Sequence, residues 1–169
     1  MAEMAGADPA RLQRLEDERD IRQLMDLVWM LSDAGPTAAL AQLYTEDCVI
    51  DLGRLVTPDA DTVIEGIESV RARYSAPGAT AREGKSHHLA GGPSAIVIDG
   101  DEAQAVSYAL NSGLIDGVAK VGVTGFNFFR LARCDGRWRI AGRTARRLGD
   151  ADVLELFRPI VARLTADLA

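Results

Sequence analysis

Two histidines stand side by side in this chain, His87 and His88, and there are no others. On an extended segment neighbouring side chains point to opposite faces, so at most one of them enters a given pocket. An imidazole inside a pocket serves as a general base near neutral pH, provided a partner fixes which ring nitrogen carries the proton. The carboxylate to weigh against it is Asp33, which closes a row of Met25, Trp29 and Asp33 spaced i, i+4, i+8 on one side of a helix. Two readings stay open. Either Asp33 starts the turn before Gly35-Pro36 in water and His88 sits half-exposed on a strand, or the two form a carboxylate–imidazole pair. In the pair, Asp33 accepts one ring N–H and raises the basicity of the other nitrogen, which then takes a proton from carbon or oxygen of a bound substrate. His87, on the opposite face, is expected to be structural.

Other chemistry is thinly represented. Cys48 and Cys134 are far apart and belong to no CxxC pattern, so a disulfide is not expected and idle thiols are the ordinary reading. Two histidines and no Cys/His cluster leave little from which to build a metal site. No GxxxxGK[ST] or strand-linked GxGxxG stretch is present to cradle phosphates. A net charge of −6 argues against general nucleic-acid binding. The arginines gathered near one hairpin (Arg130, Arg133, Arg137, Arg139, Arg143, Arg146 and Arg147) are split between faces by strand alternation, and pairing with carboxylates is expected of them. No apolar run approaches the roughly 20 residues that span a bilayer. The first residues, "MAEMAGADPARLQRLEDERD", lack the basic-then-apolar order of a secretory signal, so a cytoplasmic location is expected.

The elements that must position these groups follow from periodicity. Asp8-Pro9 is a helix start, and Leu12, Leu15, Ile21, Leu24, Val28 and Leu31 recur at helical spacing up to "DAGP". A short helix around Leu40, Leu43 and Tyr44 precedes a strand, "CVIDL", and a further helix is expected from Ile67 to Tyr74. Residues 75–85 read as a mobile loop. From residue 86 the period becomes two: "AIVID", then "EAQAVSYALNSGL", then a hairpin whose arms, "KVGVTGFNFFRLAR" and "RWRIAGRTARRL", meet at a three-residue connection, "CDG". A closing helix, capped by Asp150, carries Leu154, Phe157, Val161, Leu164 and Leu168, and Pro159 is expected to kink it. Helices, then a block of long antiparallel strands, then a helix describe one α+β domain over residues 1–169, with a core at about 10–147 and a last helix at about 150–167. Alternation puts Ala103, Ala105, Ser107, Ala109 and Asn111 on one face, with Val106, Tyr108 and Leu110 on the other. On the next strand Val123, Gly125, Asn127 and Phe129 share a face. Small residues ending in an amide leave room for a ligand where a curved sheet meets its helices.

These stretches resemble the SnoaL-like branch of the nuclear transport factor 2-like superfamily, a cone-shaped α+β fold with a curved antiparallel sheet and helices enclosing a pocket. "DIRQLMDLVWMLSDAG" is similar to its first helix and "ALAQLYTEDCVIDL" to its entry into the first strand. "SHHLAGGPSAIVIDGDEAQAVSYAL" resembles its H-x-x-x-N-P-x-I-x-x-D-G-D-x-A segment, and "GFNFFRLARCDGRWRIAGR" its final hairpin. The resemblance to the scytalone dehydratase and hexachlorocyclohexane dehydrochlorinase type implies an Asp33–His88 pair working without metal or organic cofactor. It also implies a pocket lined by Trp29, Ile50, Asn111, Asn127 and Arg143. The expected activity is that of a lyase (dehydration or elimination) or isomerase acting on a small apolar or polyketide-, terpenoid- or steroid-like molecule. The alternative is a non-catalytic ligand-binding or interaction module of the same fold. Two features depart from the family pattern: Gly92 stands where an asparagine is usual, and no counterpart of the dehydratase's paired tyrosines is readable. A homodimer or homotrimer is expected on the same analogy, through the outer sheet face of Val106, Tyr108, Leu110, Phe126 and Phe128.

Overall fold

The computed structural model describes residues 8–56, 59–80, 84–89 and 95–166. Helix α1 spans Pro9–Ala34 and starts as its sequence requires, with the Asp8 carboxylate accepting from the Ala10 N–H at 3.0 Å and proline in the first turn. Its buried side is Asp17, Ile21, Met25, Val28 and Trp29, whereas Leu12 and Leu15 lie in solvent rather than on the expected face. Gly35 ends it at φ 64°, donating its N–H to the Leu31 carbonyl. A 3-10 helix over Thr37–Leu43 leads into β1 (Tyr44–Asp51), then β2 (Val63–Glu65), α2 (Ile67–Ser75) and the short α3 (Pro77–Thr80). Part of the segment expected to be a loop is therefore helical. The strand block comprises β3 (Ser86–Leu89), β4 (Ala95–Asp99), β5 (Glu102–Ile115), β6 (Val118–Cys134) and β7 (Arg137–Arg147), and α4 (Val153–Thr165) closes the chain. Gly92 lies outside the described residues.

The strands form one curved sheet in the order β2-β1-β7-β6-β5-β3, with β4 also on β5. All pairs are antiparallel except β1 with β7, which run parallel and set the first strand of the chain beside the last. The β6–β7 connection is two residues, Asp135 and Gly136 at φ 51° and 74°, not three. Both sit in the left-handed region that a type I′ hairpin turn needs.

The two faces of the sheet are covered differently. On the inner face Ala103, Ala105 and Phe129 join Ile21, Met25, Val28 and Trp29 of α1, with Leu40, Ile50, Val70 and Ile140, in the main core. On the outer face Val106 and Phe128 are buried by α4 through Ile160 and Phe157. This corrects two expectations. The outer face is partly covered by the chain's own helix, leaving Tyr108 as its exposed aromatic at 54%. The helix also buries Val153 and Ile160 and half-buries Leu156 and Phe157, while Leu154, Val161 and Leu164 face solvent. Asp150 does not cap it: its carboxylate accepts from the Arg147 N–H, and Asp152 occupies the cap position.

Candidate active site

Asp33 is placed by the last turn of α1, which docks on β3. The backbone ties the two together, since the Gly84 N–H donates to the Asp33 carbonyl at 2.7 Å. The Asp33 carboxylate then accepts three further contacts from β3. The His88 backbone N–H reaches Oδ2 at 2.6 Å, the His88 ring Nδ1 reaches Oδ1 at 2.5 Å, and the Ser86 hydroxyl reaches Oδ1 at 3.2 Å. Asp33 is 16% exposed and His88 28%, so the pair sits in partial shelter with one side of the ring accessible. An ionised carboxylate on Nδ1 makes that nitrogen the N–H and leaves Nε2 as the bare one. The His88 ring also stacks on Trp29, centroids 5.5 Å apart and planes 18° from parallel. His87, one residue away, is exposed.

Strand register assembles the remaining wall. His88 pairs with Asn111 across β3 and β5, which puts the amide beside the imidazole. Asn127 pairs with Ala145, so Arg143, two residues along β7, is its diagonal neighbour on the same face. Arg143 Nε donates to Asn127 Oδ1 at 2.9 Å, and its guanidinium lies 4.5 Å from the centre of the Trp29 ring. Asn127 is buried by this arrangement, and its partner is the arginine rather than the other asparagine. Gly125, also on this face, accepts no larger residue, since a Cβ there would collide with the Arg146 carbonyl.

Between α1, α2 and the sheet lies a cavity of about 600 Å³, within the range of small-ligand sites. Trp29, His88, Asn111, Asn127 and Arg143 all line it, and Leu52, Leu55 and Val56 add apolar lining. Asp33 stands behind His88. Ile50 is the exception among the expected lining residues. It pairs with Arg143 across β1 and β7 and so shares its face, but it is wholly buried in the core with Val70 of α2 and does not reach the cavity.

Three contributors were missed in the sequence. Ser86 lies two residues before His88 on an extended strand, hence on the same face, and that alternation was enough to point to it. Tyr74 of α2 lines the cavity, and Tyr44 of β1 is buried beside it. Burial pushes the Tyr44 hydroxyl far above the ordinary phenol range, Tyr74 adds to the push and Arg143 opposes it. The fold thus makes a tyrosine pair that no motif announces. The Tyr44 hydroxyl and Trp29 Nε1 are buried without a hydrogen-bond partner among the described residues.

Elsewhere the arginines are absorbed by structure: Arg133 pairs with Asp17 and Asp101, Arg146 with Asp51 and Asp152, and Arg139 donates to the Gln42 carbonyl. Cys48 is buried and Cys134 half-buried, both free, and burial pushes the Cys48 thiol up, away from reactivity. Among the described residues no cluster of three metal-ligating side chains occurs, and no helix is long and apolar enough to cross a membrane.

An α+β domain in which helices pack on an open curved sheet is the architecture of the nuclear transport factor 2-like fold. The family model described as a SnoaL-like domain matches residues 13–144, and the chain belongs to that family. An NTF2-like protein with a cystatin-like fold from Novosphingobium aromaticivorans is 25% identical over 90% of this chain and 98% of its own, at a TM-score of 0.77. A variant of Rv3472, a protein of unknown function from Mycobacterium tuberculosis, is 26% identical over 93% of this chain and 94% of its own, at a TM-score of 0.69. A protein from N. aromaticivorans provisionally named a scytalone dehydratase shares the fold at 22% identity, with 80% of this chain and 86% of its own covered and a TM-score of 0.61. No functionally curated protein matches the chain.

Proposed function

We propose that this protein is a cofactor-independent lyase or isomerase that removes a proton from a small, largely apolar molecule, with His88 as general base and Asp33 as the residue that orients it. One observation carries the reading. A single carboxylate grips His88 by both its backbone N–H and its ring Nδ1 at the wall of a cavity of ligand size. Such a grip fixes ring orientation and tautomer together, which a merely structural histidine does not require.

The step balances with protein groups and substrate alone. A C–H bond of the substrate breaks and its proton passes to Nε2. The electron pair left behind forms a double bond as the hydroxyl departs from the neighbouring carbon, taking the proton back from the His88 imidazolium to leave as water, or forms an enolate that the imidazolium reprotonates at another carbon. Asp33 stabilises the imidazolium. Asn111 donates to a substrate oxygen, and Arg143 meets negative charge that develops there. The name carried by the dehydratase-like fold neighbour agrees with the elimination branch.

The test is turnover of a panel of β-hydroxy ketones and β-hydroxy acids, followed by ultraviolet absorbance of the conjugated product. Conversion by the wild type that falls about 100-fold or more in His88→Gln and Asp33→Asn supports the proposal. Conversion undiminished in His88→Gln contradicts it, and so does binding of the panel with no turnover, which is the outcome expected of a non-catalytic ligand carrier.

A further inference from the structure

The charged groups on the cavity wall are of one sign. Arg73, Arg143 and Arg146 line it and, among the described residues, no aspartate or glutamate does, in a chain whose net charge is −6. Arg146 is neutralised on the spot, with Asp51 and Asp152 each 2.7 Å away. Arg143 is not. Its contacts are the neutral amide of Asn127, the ring of Trp29 and the phenol of Tyr44, and among the described residues no carboxylate pairs with it. Asn127 Oδ1 takes one guanidinium N–H, and Trp29 Nε1 beside it is a buried donor without a partner among the described residues. A half-buried cation held among neutral groups and donors is costly unless something negative completes it.

From this we infer that Arg143 is the receptor for a carboxylate carried by an otherwise apolar ligand, so that the molecule acted on is an organic acid bound through its acid group before any chemistry begins. The inference rests on the cavity being the substrate site of the function proposed above. A carboxylate is the anion that fits. With Nε engaged by Asn127, the two terminal nitrogens remain as a planar fork, which matches two coplanar oxygens. The apolar side chains of Leu52, Leu55 and Val56 suit a ligand whose remainder is hydrocarbon-rich.

Calorimetric titration with 2-naphthoate and 2-naphthamide, which differ in charge but share their rings, tests this. The wild type is expected to bind the acid about tenfold or more tightly than the amide. Arg143→Gln is expected to abolish the preference by weakening the acid alone, and Arg143→Lys, which keeps the charge but not the fork, to retain part of it. Arg73→Gln is expected to leave the preference in place. Equal affinity of the wild type for acid and amide, binding of neither, equal weakening of both in Arg143→Gln, or loss of the preference in Arg73→Gln overturns the inference. His88→Gln separates this reading from the catalytic one. Acid preference kept in that variant, or in a wild type that turns over nothing, supports the carboxylate receptor whatever becomes of His88 as a base. Acid preference lost with His88 intact overturns the receptor and leaves the base standing.

Discussion

Asp33 concentrates the chemistry of this molecule, because one side chain accepts from three groups of a neighbouring strand. Its two oxygens divide the labour: Oδ2 holds the β3 backbone, and Oδ1 holds the His88 ring and the Ser86 hydroxyl. Replacing Asp33 by Asn keeps the shape but puts an NH2 where an acceptor is needed, so the ring loses its fixed tautomer. The variant is expected to keep ligand affinity within a few-fold while kcat falls about 100-fold or more, a split that steady-state kinetics would show. Ser86→Ala removes the longest of the three contacts and is expected to cost under tenfold, the scale of one neutral hydrogen bond. The alternation rule that selected His88 over His87 also contained Ser86, so most of the pair's surroundings could be read from spacing. The depth at which Ile50 sits could not, since period two tells which face a side chain takes but not whether a helix lies on it.

Among the elements, α4 shows where sequence pattern stops discriminating. Its residues hold two apolar stripes at helical spacing, and the row expected from periodicity (Leu154, Phe157, Val161, Leu164 and Leu168) gives way to one of Val153, Leu156, Phe157 and Ile160. The second is buried because Phe157 meets Phe126 and Phe128 edge-on, ring centroids 5.0 Å apart in both pairs. Ile160→Ala is therefore expected to cost about 2–4 kcal/mol in denaturant unfolding. Leu154→Gln is expected to cost within about 0.5 kcal/mol, since its side chain is already in water. The reverse order would return the helix to the face periodicity suggested. At the other end of α1, buried Asp17 receives Arg133 at 2.7 Å, Trp138 Nε1 at 3.2 Å and Gln13 at 3.1 Å, pinning the helix to β6 and β7. Asp17→Ala leaves the Trp138 indole without its acceptor and Arg133 with only the exposed Asp101, and is expected to cost about 3 kcal/mol. The parallel β1–β7 pairing that completes the sheet joins segments far apart in the chain, and no local pattern encodes such a contact.

For the whole molecule, acid sensitivity follows from two carboxylates. Burial raises the pKa of Asp17, but hydrogen bonds from Arg133, Trp138 and Gln13 outweigh it and hold the group below the ordinary range. The hydrogen bond from Arg146 lowers Asp51 against burial, helped by the Gly53 N–H. A carboxylate depressed in the folded state contributes stability that is complete above its unfolded value of about 4 and drains away as pH falls through the folded one. Urea midpoints are therefore expected to hold steady from about pH 8 to 5 and to fall below about pH 4, with a shallower fall in Asp51→Asn. A midpoint flat down to pH 2 would contradict the assignment. The central claim, that Asp33 holds His88 with Nδ1 protonated and Nε2 bare, is tested most directly by nitrogen NMR of histidine-labelled protein above the ordinary imidazole range. With only two histidines, exposed His87 serves as the internal reference. The expected spectrum shows one ring with a slowly exchanging, strongly deshielded proton on Nδ1 that disappears in Asp33→Asn. Two rings with the same averaged shifts, or a His88 protonated on Nε2, would contradict it.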